Sequence, residues 1–140
     1  RITSPSYPRR LSGFVTLSTM KAHKIGIISL LFDAIYCITV GIGIMLAATY
    51  VAPIIGIPVL LTIAIGCATT VWGIGIVGMM RTIPLATALT TVMIVNIMST
   101  IAVATFSATL AGVGVTLTVL ALALDIAAFA ASQGWALARA

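Results

Sequence analysis

Residues 85–138 read LATALTTVMIVNIMSTIAVATFSATLAGVGVTLTVLALALDIAAFAASQGWALA, and the only charged side chain among them is Asp125. A helix rises about 1.5 Å per residue, so crossing the roughly 30 Å hydrocarbon core of a bilayer takes about 20 apolar residues. The stretch is long enough to cross twice, with Gly112 and Gly114 offering the turn. Working outward, residues 25–80 repeat the pattern: one charge, Asp33, and a cluster of turn residues, Tyr50, Pro53, Gly56 and Pro58, near the middle. Proline breaks a helix interior but is tolerated at a helix start, so this cluster separates two further spans. Arg81, Thr82 and Pro84 join the halves. The expected fold is an all-α membrane protein, a bundle of four transmembrane helices built as two hairpins, with spans at about 25–48, 59–80, 85–106 and 115–138.

Composition leads to the same class. Of 140 residues, 61% are hydrophobic and 6% charged, and glutamate is absent. Soluble domains are usually about one quarter charged, so lipid is the solvent for most of this chain. The domain boundary is expected near Lys24, between a basic arm over residues 1–24 and a transmembrane domain over 25–140. Within the arm, Leu11, Phe14 and Val15 share one helical side and suggest a short helix lying in the headgroup layer. The formal charge of +5 comes mostly from this arm. An anionic membrane surface suits it as a neighbour; nucleic acid does not, because no aromatic residues are interleaved with the basic ones. The arm contains Arg, Ser and Thr and no acid, a composition shared with mitochondrial transit segments, although a juxtamembrane arm is the simpler reading.

Four spans place the arm, the Arg81 turn and the C-terminus on one side of the membrane. Arg9, Arg10, Lys21, Lys24, Arg81 and Arg139 then form one basic surface, and the two opposite turns carry no Lys or Arg. This asymmetry predicts that the basic side is cytoplasmic, or the matrix side of a mitochondrial membrane. Trp135 and Tyr50 fall where interfacial aromatic belts are expected.

Inside the spans, helical rise puts Asp33, Asn96 and Asp125 at comparable depth, with Tyr36 one turn from Asp33. These four residues are the expected intramembrane polar layer. Stripes of small or polar residues run through the same faces: Gly26, Ser29, Cys37 and Gly41 in the first span; Thr62, Gly66, Thr69, Thr70 and Gly73 in the second; Ser99, Thr100 and Ser107 in the third; Thr118, Ala121, Ala128 and Ser132 in the fourth. Small residues let backbones approach closely, and hydroxyls can bond across the contact. Gly41, Gly66, Gly73, Ala121 and Ala128 are therefore expected to be packing positions, with all four stripes facing inward. An intramembrane carboxylate costs several kcal/mol and faces a partner or a cavity. Asp33 and Asp125 thus either fix helix register through hydrogen bonds or handle protons or cations.

Catalytic chemistry finds no footing in the sequence. The single histidine, His23, has no acid near it in sequence, and Cys37 and Cys67 are lone thiols in different spans, without the clustering a zinc site needs. Paired intramembrane histidines for haem are absent too. No cofactor, no metal and no enzyme activity is expected. The Gly-x-Gly pairs Gly41/Gly43 and Gly73/Gly75 are read as helix contacts and not as phosphate-binding turns.

The Trp72-Gly73 pair in the second span, the stretch from Val95 to Ala102 after a basic turn in the third, and Val119 to Ala130 with its acid in the fourth resemble the membrane-spanning four-domain family, the relatives of the B-lymphocyte antigen. Asp33 and the short turn before the fourth span depart from that pattern. A looser similarity in size and topology is to tetraspanning proteins of the MARVEL type. Either resemblance implies an oligomeric, non-catalytic protein that organises or modulates partners. The expected function is a membrane scaffold or accessory subunit, packing in the bilayer with itself or with a larger complex. The alternatives are a proton or cation channel or transporter component using Asp33, Asn96 and Asp125, and a supernumerary subunit of a mitochondrial inner-membrane complex.

Overall fold

The computed structural model describes the backbone of residues 10–110 and 112–139, and side chains from Met20 onward. The described chain is helical almost throughout: α1 Arg10–Leu46, α2 Ala48–Ile55, α3 Val59–Thr82, α4 Leu85–Ser107 and α5 Val113–Ala138. Four of these helices carry segments long and apolar enough to cross a membrane, Met20–Leu46 in α1 and the whole of α3, α4 and α5. In hydrocarbon every backbone N–H and C=O must be satisfied within its own segment, and the helix does this without partners. The architecture is an all-α four-helix membrane bundle.

Three of the expected spans coincide with helices to within two residues at each end, because Pro58, Pro84 and Gly112 occupy the N-cap positions of α3, α4 and α5. Two further segments are helical. The sequence Lys21-Ala22-His23-Lys24 contains nothing that breaks a helix, and α1 continues unbroken toward the N-terminus as far as Arg10. Leu11, Phe14 and Val15, expected in a short helix, are helical as part of α1. The first apolar turn also contains a short helix, α2, which ends where Gly56 adopts φ 72°, a left-handed conformation open to glycine.

The helices associate as two hairpins. α1 packs along α3, α4 packs along α5, and the pairs meet chiefly where α1 lies against α5. Gly41, Gly66 and Gly73 bring α1 and α3 to backbone contact. A Cβ on Gly41 would stand 2.6 Å from the Gly66 carbonyl oxygen, one on Gly66 2.7 Å from the Gly41 oxygen, and one on Gly73 2.8 Å from the Ala34 oxygen. None of these is an attainable carbon–oxygen separation, so each position requires glycine. Gly43 and Gly75 face open space, so only one member of each Gly-x-Gly pair makes the expected contact. A helix presents residues two apart about 200° from one another, and both cannot share a face.

The core is concentrated at the end of the bundle that carries the basic residues. Leu30, Ala34, Ile76, Ala88, Leu89, Val92 and Ala136 form one buried cluster there. Toward the other end the hairpins leave space between them, as cavities of about 330 Å³ and 430 Å³. The outer faces are apolar and exposed, with Phe32, Leu60, Val71 and Met98 each more than half accessible.

Candidate functional site

Asp33 lies on the inner face of α1, 2% exposed, and three helices converge on it. Asn96 of α4 donates from Nδ2 to Asp33 Oδ2 at 2.5 Å, and Gln133 of α5 donates from Nε2 to the same oxygen at 2.8 Å. The two amides also meet each other, Asn96 Nδ2 to Gln133 Oε1 at 3.4 Å. The Cys37 thiol, one turn along α1, points at Asp33 Oδ1 at 3.6 Å. Asn96 is 4% exposed and Gln133 is fully buried. Side chains from α1, α4 and α5 thus close a polar knot inside an apolar bundle. Such a knot specifies register, since shifting any one helix by a turn strands a buried polar group.

The expected single polar layer divides into two levels. Asp33 and Asn96 come together as anticipated, whereas Asp125 lies eight residues from Gln133 along α5, about 12 Å further from the basic end. There its Oδ2 accepts a hydrogen bond from the Tyr36 hydroxyl at 3.2 Å. Tyr36 in turn packs on Phe129, ring centroids 5.4 Å apart and tilted by 56°. Ser29 and Ser132, each seven residues or about two turns closer to the basic end, bond at 2.6 Å and fix the alignment of α1 with α5.

Those contacts set the rotation of α5 and overturn its expected stripe. Ala123, Ala130, Gln133 and Ala136 face the core, while Thr118, Ala121, Asp125 and Ala128 are exposed and Ser132 is half-buried at the seam. The long amide of Gln133 reaches Asp33 and the Phe129 ring seats on Tyr36, which turns the small-residue stripe to the edge of the α1–α5 seam. Reading size and polarity alone missed Gln133. A signal was present: the chain has one asparagine and one glutamine, and both lie in spans.

The hydroxyls also behave differently from expectation. Thr69, Thr70, Thr90, Thr100, Thr105 and Thr118 each donate to the carbonyl four residues back in their own helix. A threonine in a helix finds that acceptor within reach, and a neighbouring helix has to compete with it. Ser29 with Ser132 is the hydroxyl pair that bonds between helices among the described residues.

Beside the knot lies the 330 Å³ cavity between the hairpins, a mostly apolar space into whose wall Asp33, Tyr36, Cys37, Thr69 and Asn96 bring polar groups. The Trp72 indole N–H is buried and has no hydrogen-bond partner among the described residues. No three His, Cys, Asp or Glu side chains gather as a metal site among the described residues. At the basic end, His23 of α1 and Arg81 of α3 line one cleft, Gly26 lies beside Ala136, and the Arg139 guanidinium stands 4.3 Å above the Trp135 ring. Lys21, Lys24, Arg81 and Arg139 are exposed there. Arg9 and the Arg10 side chain lie outside the described residues. Compared with protein families, curated proteins and solved structures, the chain finds no match.

Proposed function

We propose that this chain is a non-catalytic integral membrane scaffold or accessory subunit, assembling in the bilayer with copies of itself or with other membrane subunits. The observation that carries the reading is the saturation of Asp33: its carboxylate is engaged by Asn96, Gln133 and Cys37, a use that ties helices together. A bundle locked from within by such a knot, and apolar on nearly all its outside, offers its neighbours shape and helix faces. The resemblance to tetraspanning organisers of membrane partners agrees with this. The basic end, with Lys21, Lys24, Arg81 and Arg139, is the cytoplasmic or matrix side under the charge asymmetry of membrane proteins. Purification in mild detergent followed by native mass measurement tests the reading. A defined oligomer or a hetero-complex is expected, and a monodisperse monomer from its own membrane overturns it.

The cavity beside Asp33 favours a second reading, a proton or cation channel or transporter component. Its wall is mostly apolar, and Asp33, Asn96, Thr69 and Ser99 supply the polar groups that a small cation in passage would meet. Liposomes containing the chain would then show an ion or proton flux that Asp33→Asn with Asp125→Asn abolishes; unchanged flux in the double variant eliminates this reading.

A further inference from the structure

Asp125 stands at the middle of α5, about 18–20 Å from Val113 at one end and from Ala138 at the other. Its side chain is exposed at the edge of the α1–α5 seam. Tyr36 donates to Oδ2, and Oδ1 accepts no hydrogen bond among the described residues. Lysine reaches a membrane surface by extending its long stem, but aspartate is too short to do so from mid-helix. An acid left facing acyl chains at this depth is strongly disfavoured, so the face carrying it is one that something covers.

The chain's own charges identify what the cover must bring. Its described lysines and arginines, Lys21, Lys24, Arg81 and Arg139, all sit at the basic end, and the membrane-spanning segments contain none at mid-depth. A second copy would therefore add another acid at the same level and no positive charge. The surroundings of Asp125 suit a helix. Ala121 and Ala128 lie one turn to either side, both exposed, and Leu117 and Leu124 wall the face at 58% and 65% exposure. Small residues flanking a polar group allow a partner backbone to approach closely enough for the pair to form.

Resting on the accessory-subunit reading, we infer that the face formed by Ala121, Asp125 and Ala128 docks a transmembrane helix of another subunit that carries lysine or arginine at mid-depth. The cation pairs with Asp125, and Tyr36 holds the carboxylate in place. This gives the polar side of α5 a use that the isolated bundle does not supply.

The test reconstitutes the full chain in phosphatidylcholine vesicles and measures energy transfer to synthetic leucine–alanine helices. One helix has a single central lysine, a second has leucine there, and a third has the lysine two turns off centre. The central-lysine helix is expected to bind about tenfold tighter than the other two, and Asp125→Asn to abolish the preference. Ala128→Leu keeps the acid and fills the face, and it should weaken the same complex. Equal binding of all three helices overturns the inference, as does a preference that survives Asp125→Asn. With Cys37 and Cys67 replaced by serine, disulfide trapping of Ala128→Cys as a dimer that the lysine helix does not compete away assigns the face to a second copy and also overturns it. Native purification separates this outcome from the broader one. Wild type and Asp125→Asn both arriving with other subunits leaves the accessory role standing without this face; a lone monomer that selects the lysine helix leaves the face standing without that role.

Discussion

Asp33 shows how one side chain can organise three helices. Removing one partner leaves a buried acceptor or donor unpaired, which costs more than the bond contributes when it is intact. Asn96→Leu is therefore expected to destabilise the bundle by about 1–3 kcal/mol in detergent unfolding experiments. Replacing Asp33, Asn96 and Gln133 together by leucine should be less harmful than Asn96→Leu alone, because no polar group is then left buried without a partner. A triple variant less stable than the single one would show that the knot supplies net stability as well as register. Asp125 belongs to a different setting: it is exposed at the seam and held by one tyrosine, so its substitution by asparagine should hardly change monomer unfolding.

Among the elements, the α1–α3 hairpin is the most tightly specified, since Gly41 and Gly66 each occupy space that the other's carbonyl oxygen limits. Gly66→Val forces the backbones apart and is expected to cost about 1–3 kcal/mol or more, as overpacking does in other cores. Gly43→Ala and Gly75→Ala meet nothing within 4 Å and should stay within about 0.5 kcal/mol of wild type, read in the same unfolding assay. The spans themselves were legible because charge is scarce and because Pro58, Pro84 and Gly112 mark helix starts locally. Packing faces were legible in α3, where Thr62, Gly66 and Gly73 are buried, and were misread in α5, where Ala121 and Ala128 are exposed. The difference is physical: the glycines of α3 meet a backbone directly, whereas the rotation of α5 is set by long side chains, Gln133 and Phe129. Their partners lie on a helix about a hundred residues away in sequence. Alanine is small on any face of a membrane helix, so a stripe of it records close approach by some neighbour without saying whether that neighbour belongs to the same chain.

At the scale of the whole molecule, two hairpins share a core at one end and separate toward the other, and the basic residues cluster at the closed end. Under the proposed four-span topology, Lys24, Arg81 and Arg139 share one side of the membrane. With Cys37 and Cys67 replaced by serine, Lys24→Cys, Arg81→Cys and Arg139→Cys should all react with a membrane-impermeant maleimide from that side. Thr49→Cys and Thr109→Cys should react only from the other. Mixed labelling among the first three would refute the four-span topology.

The knot also imposes an order on synthesis. Asn96 lies 63 residues and Gln133 100 residues downstream of Asp33. At the roughly 5–20 residues per second of a translating ribosome, the last partner is made about 5–20 s after the acid itself. Throughout that interval Asp33 lacks the two amides from α4 and α5 that bury it in the finished bundle. The knot can therefore close only after α5 has been made.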